Sequence, residues 1–183
     1  DVTSTYTKTV TYASTNIKVL NSHLHHNGAD GVVLGPVDHG LIDGNDCSYN
    51  GQNRNARLGC WGWDSHDLVI QFNEAHHNVA PFYNNVTRDS GGFDCDLGSE
   101  DCVMQYNWSH DNTGEGFLIM TWPIGYGFSR GVSHNIQMRY NISERDAKKL
   151  ACPITIFGGV QPAVIYNNTI YYEPDRPAGS PMF

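Results

Sequence analysis

Short alternating apolar segments recur along the chain, each ending at an asparagine. LVIQFNEAHHN (68–78) aligns with CVMQYNWSHDN (102–112), and IQMRYNISERD (136–146) continues the series. VIYNNTI (164–170) fits the middle of that pattern, while LIDGNDCSYN (41–50) and IKVLNSHLHHN (17–27) are looser copies. With Asn45, Asn73, Asn107, Asn141 and Asn167 as markers, the intervals are 28, 34, 34 and 26 residues. In the first copy Ser22 or Asn21 holds the marker position.

After each copy comes a second apolar segment led by Gly or Pro: GVVLG (31–35), GCWGWD (59–64), GGFDCDL (91–97), GFLIMT (116–121) and PITIFG (153–158). Each repeat therefore predicts at least two strands separated by turns, with no helical period between them. Repeats of this size indicate a solenoid of stacked coils. The fold predicted is an all-β, right-handed parallel β-helix of about six coils, at roughly 4.8 Å per coil. Alternation sets Val69, Gln71 and Phe72 apart from the marker, whose side-chain amide can bond the same amide one coil along. Such an asparagine ladder buries the sequons at Asn107, Asn141 and Asn167 and leaves Asn85 as the expected glycan site.

GGFDCDLGSEDCVMQYNWSHDNTGEGF, with YNNTIYY near the end, resembles the parallel β-helix proteins of the pectin-lyase-like superfamily, over roughly residues 14–172. That resemblance implies a polysaccharide lyase, a glycoside hydrolase, a uronate epimerase or a non-catalytic fibre or adhesin. GGFDCD occupies a place similar to the Asp-Pro-His-Asp motif of mannuronate epimerases, but Cys95 and Asp96 replace its Pro and His. The chain also lacks the adjacent Asp-Asp, Gly-His-Gly and Arg-x-Lys of polygalacturonases. A lyase needs a cationic base, for which Arg130, Arg139, Arg145, Lys148 and Lys149 are available.

Stacking turns sequence positions into columns. Aligned on the leading Gly or Pro, Val32, Cys60, Phe93, Phe117 and Ile154 form an inward column. Val33, Trp61, Asp94, Leu118 and Thr155 form an outward one, as do Gly35, Trp63, Asp96, Met120 and Phe157. Asp94 and Asp96 thus share a face about 6.5–7 Å apart, with Trp61, Trp63, Met120 and Phe157 as sugar-contacting neighbours. Aromatic faces beside paired carboxyls suit a sugar, and two close acids raise each other's pKa. Alternatively Asp94 and Asp96, with Glu100 from the following turn, hold Ca²⁺. On the plainest view they are solvated acids on an exposed strand.

Histidines fill further columns: His25, Ser48, His76, His110 and Glu144; His26, Tyr49, His77, Asp111 and Arg145; and His39, His66, Glu100 and His134. Stacked imidazoles can ligate a metal or move protons, although a repeated polar turn position also explains them. His110 and Asp111 join Asp94 and Asp96 as catalytic candidates, because they follow the same coil.

Composition narrows the class. A net charge of −8 over 183 residues argues against nucleic acid and anionic membranes as partners. No 18-residue apolar run predicts a membrane span. The chain starts without Met or a signal-like apolar stretch, and so reads as mature or trimmed. Five cysteines allow the pairs Cys95–Cys102 and Cys47–Cys60, leaving Cys152 over. With the sequons they favour a secreted protein. A single domain over 1–183 is expected, with an edge strand at 1–14 and a Pro-rich tail at 173–183. Two uncapped ends of a β-helix invite end-to-end stacking into a filament. The readings are therefore an enzyme that contacts polysaccharide, or a structural solenoid that assembles with copies of itself.

Overall fold

The computed structural model describes residues 14–53, 57–79, 89–121, 131–148 and 152–172. Asn85, Arg130, Lys149, most of the 1–14 segment and the 173–183 tail lie outside the described residues. Among those described, every regular element is a strand, so none is a helix long and apolar enough to cross a membrane. Strands are numbered in chain order.

Three parallel sheets build the molecule. The first joins β1 (Ser14–Thr15), β2 (Lys18–Leu20), β5 (Val37–Asp43), β8 (His66–Gln71), β11 (Val103–Gln105), β14 (Ile136–Arg139) and β17 (Ala163–Tyr166). The second joins β4 (Val32–Leu34), β7 (Cys60–Trp63), β10 (Phe93–Asp96), β13 (Phe117–Met120) and β16 (Ile154–Phe157). The third joins β3 (His23–His25), β6 (Asp46–Ser48), β9 (Glu74–His76), β12 (Trp108–His110), β15 (Ile142–Glu144) and β18 (Thr169–Tyr171). Its six strands, one per coil, define six coils.

Alternation decides the core. Ile42, Ile70, Met104 and Met138 stand opposite one another in the first sheet and are wholly buried. Phe93 and Phe117 stack inside the second sheet at 5.2 Å. Two disulfides join adjacent sheets, Cys47–Cys60 across the third-to-second corner and Cys95–Cys102 across the second-to-first. They close short loops, with sequence separations of 13 and 7. Reduction of either is expected to cost about 2–3 kcal/mol, read as a lower urea midpoint in the presence of a thiol. An unchanged midpoint would mean that the cysteines are not bridged in solution.

Two columns of amides hold the corners. In the first, Asn45, Asn73, Asn107 and Asn141 each donate from Nδ2 to the Oδ1 of the next, at 2.9, 3.0, 3.1 and 3.0 Å. The last acceptor is Asn168, one residue beyond the expected Asn167. Asn167 instead takes the left-handed backbone position (φ 55°) of the preceding column and is exposed. Its sequon is therefore not buried in the column. At the N-terminal end Ser22, rather than Asn21, donates its N–H to Asn45. A second column, Asn27, Asn50, Asn78 and Asn112, runs five residues further along each coil and ends on Asp146.

Left-handed φ values recur at the corners: Phe72, Tyr106 and Tyr140 lie at 54–56°, one residue before the marker. Their rings stack at 5.1 and 5.2 Å, and this compensates for backbone conformations that aromatic residues seldom take.

Candidate functional site

The expected columns meet in register. Asp94 pairs with Trp61 on one side and Leu118 on the other, and Asp96 with Trp63 and Met120. Thr155 and Phe157 complete the two columns. The GG before this strand is a packing requirement: a Cβ on Gly91 would lie 1.8 Å from the Glu115 carbonyl. That close approach lets the Gly92 N–H reach Glu115 O at 2.9 Å and fixes the start of β10.

Where the sequence predicts a solvated strand, the structure has a covered one. Every residue of β10 and β13 is buried; Asp94 is 0% and Asp96 5% exposed. Trp61 and Trp63 remain partly exposed. The Trp61 indole is held by its Nε1–H donating to Asp30 Oδ1 at 3.0 Å.

Burial sets the electrostatics. It raises Asp94 well above the ordinary carboxyl range, with Asp96, Asp89 and Glu115 adding repulsion and the Cys95 N–H offsetting a little. Neither Asp94 oxygen accepts a well-formed hydrogen bond among the described residues. Burial also pushes Asp96 up to about 8, against a Leu97 N–H that donates to Oδ1 at 2.6 Å. Asp96 carries that anion-stabilising donor, so it ionises first and its charge then holds the proton on Asp94. Such a pair keeps a protonated carboxyl at near-neutral pH in a desolvated setting, an arrangement typical of acid–base sites.

Other candidates are not assembled with these two. His110 ends β12 inside the third sheet and Asp111 follows it, and neither is among the charges acting on Asp94 or Asp96. Burial raises Asp111, but hydrogen bonds from Arg145, Lys148 and His110 outweigh it and hold the carboxyl far below its usual range. Those bonds occupy Arg145 and Lys148, while Arg139 binds Gln105, Gln137 and Tyr166. The Glu100 backbone pairs with His66 and His134 in a separate column. Among the described residues, none of the convergent ligand clusters contains Asp94, Asp96 or Glu100. Asp38, not His39, completes the Glu100 column, pairing with His66. His39 occupies the next position, with φ 60°.

The right handed beta helix region model matches residues 8–174. The chain belongs to the right-handed β-helix family. Over 180 residues this β-helix is 28% identical to lacto-N-biosidase of Bifidobacterium longum subsp. longum, covering 90% of the chain and 10% of that protein. It thus spans about a tenth of that relative's length. The solved GH136 lacto-N-biosidase from Eubacterium ramulus aligns with 86% of the β-helix and 28% of its own chain, at 16% identity and a TM-score of 0.56. This likeness shows the shared fold. The A-module of mannuronan C-5 epimerase AlgE4 from Azotobacter vinelandii is 16% identical, with a TM-score of 0.33 over 87% of this chain and 58% of its own.

Sequence reasoning missed two acids of the site, Asp89 and Glu115. The Asp89 N–H donates to Glu115 Oε2 at 3.2 Å, and both carboxyls act on Asp94. The signal for Glu115 was its place before the leading Gly of a coil, where Gly91 stands one coil earlier. The β-helix also stacks a histidine cluster, with His76 on His110 at 4.7 Å. Burial, followed by the charge of His110, lowers His76; burial lowers His77.

A pH dependence of stability follows from the raised carboxyls. Asp96 at about 8, Asp146 at about 6 (raised by burial against bonds from Ser143, Ser109 and Asn112) and Asp94 keep protons in the folded state that the unfolded chain loses near pH 4. Their contribution is full below pH 4 and is lost as pH rises through 6 and 8, at about 1.4 kcal/mol per pH unit for each retained proton. The melting temperature should therefore fall from pH 5 to pH 8. A flat profile by circular dichroism would contradict a protonated pair.

Proposed function

We propose that this β-helix acts on glycans as a secreted glycosidase, with Asp94 and Asp96 at its reaction centre. One observation carries the reading: two buried carboxyls on one strand face, both raised in pKa, lie in register with Trp61 and Trp63. Strand geometry spaces them about 6.5–7 Å apart at Cα and turns both to the same face, as a pair of glycosidase carboxyls requires. Asp94 holds its proton and serves as general acid to the leaving oxygen. Asp96, ionised as pH rises toward about 8, serves as base or nucleophile. Trp61 and Trp63 offer ring faces to the sugar. Occupied cations at Arg139, Arg145 and Lys148 weigh against a lyase, and Cys95 and Asp96 in place of the epimerase Pro and His weigh against that activity. The name of the 28%-identical relative makes a lacto-N-bioside the first substrate to try. Two disulfides support export to an oxidising compartment.

The experiment is incubation of the purified chain with a chromogenic lacto-N-bioside and a glycan and uronan panel, measuring new reducing ends, unsaturated ends and binding. New reducing ends support a glycosidase, whereas unsaturated ends indicate a lyase. No product from any glycan, with binding unchanged in Asp94→Asn/Asp96→Asn, removes the assignment.

A second reading, end-to-end self-association, has its own support. Ile156 and Ile170 are 50% and Ile165 36% exposed, though they stand opposite the buried Ile119, Ser143 and Met138. Another copy stacked on this face would cover them. Regular fibrils by electron microscopy support it, and monodisperse particles count against it.

A further inference from the structure

The third sheet carries a group unrelated to the acid pair. His76 ends β9 and His110 ends β12, and the two are directly opposed across the strands. His77 follows His76 at a left-handed corner with φ 54°. One ring nitrogen from each of the three lies within 4.8 Å of the other two. His76 Nδ1 and His77 Nδ1 are 2.8 Å apart, and the His76 and His110 rings are parallel within 7°.

We propose that His76, His77 and His110 bind one divalent transition-metal ion, Zn²⁺, Ni²⁺ or Cu²⁺. Imidazole sets favour these metals over Mg²⁺ or Ca²⁺, which take oxygen ligands. Metal–nitrogen bonds of about 2.0–2.1 Å place two tetrahedral ligands about 3.3 Å apart, so small ring rotations close the site.

The surroundings argue for a metal beyond the cluster itself. His110 Nε2 meets Glu74 Oε1 at 2.9 Å, and His76 Nε2 faces Asp46 Oδ1 at 3.5 Å. Carboxylates on the outer nitrogens fix the tautomer and leave Nδ1 for the ion, as in carboxylate–histidine–metal arrangements. His110 Nδ1 lies 3.0 Å from Asp111 Oδ2, and Asp111 is anchored by Arg145 and Lys148 at 2.8 Å each. The repeat supplies an internal comparison. His25 and His26 form the same pair, with Nδ1 atoms 2.9 Å apart, but Ser48 and Tyr49 stand next to them and no third imidazole completes the set. Coil repetition accounts for the pairs; among the described residues only the His76–His77 pair meets a third imidazole.

The test is calorimetric titration of ZnCl₂, NiCl₂ and CuCl₂ into the whole chain, with MgCl₂ as control. One ion per chain is expected for the transition metals and none for Mg²⁺. Glu74→Gln should weaken binding about 10- to 100-fold through the lost outer partner. His77→Asn, which keeps a residue tolerant of positive φ, should weaken it further, and His26→Asn should not change it. No transition-metal binding, or equal loss in His26→Asn and His77→Asn, overturns the proposal. Should the variants misfold, Zn²⁺ must protect His76, His77 and His110 of the unaltered chain from carbethoxylation, read by mass spectrometry, while His23 and His134 react as before. Lack of that protection overturns it equally.

Discussion

Asp94→Asn is expected to reduce glycan cleavage about 10²- to 10⁴-fold, the usual contribution of a positioned acid, while making the fold more stable at pH 8. The two effects share one cause. Asp94 is wholly buried without a well-formed hydrogen bond, so ionising it is unfavourable and holding its proton becomes harder as pH rises. Asparagine has nearly the same shape and nothing to ionise. The pH slope of the melting temperature should flatten, and the variant and parent should converge near pH 4. A variant that loses activity and also loses stability at pH 8 would point to a structural role for the carboxyl. A variant that keeps full activity would remove Asp94 from the reaction.

The largest stability effect is expected at Asn107. Its Oδ1 accepts from the Asn73 N–H and Nδ2 at 3.1 and 3.0 Å, and its Nδ2 donates to Ile70 O and Asn141 Oδ1 at 2.9 and 3.1 Å. Asn107→Ala removes all four bonds in a site that is 2% exposed. Orphaned buried groups cost about 1–3 kcal/mol each, so a loss of about 3–5 kcal/mol follows, read as a large drop in the urea midpoint. Asn168→Ala, at the half-buried end of the column, should cost about 1–2 kcal/mol. Equal effects at both positions would mean that the column contributes no more inside than at its end.

The strands and their register were legible because alternation and a repeated asparagine carry them, and each column through β7, β10, β13 and β16 pairs as read. Two errors came from treating local pattern as sufficient. Asn167 and Asn168 are adjacent, and composition alone does not tell which amide turns inward. The structure decides by giving Asn167 the left-handed backbone that Phe72, Tyr106 and Tyr140 take in earlier coils. The same offset separates His39 from Asp38. The burial of Asp94 and Asp96 was not legible, because alternation says which way a side chain leaves the coil and nothing about what covers it. The second amide column was legible and missed: Asn50, Asn78 and Asn112 each follow a marker by five residues, with the histidine columns lying between.

Unequal coil lengths have a practical consequence. Successive partners in the first amide column are 28, 34, 34 and 27 residues apart, yet every rung closes at about the same distance. The extra residues are absorbed between corners and never within them. The scaffold therefore separates what must be conserved in spacing from what is free to vary in length. Coil length can thus change while the rungs of the amide column keep their partners. Reshaping this framework is a problem of grafting, not of redesigning its winding.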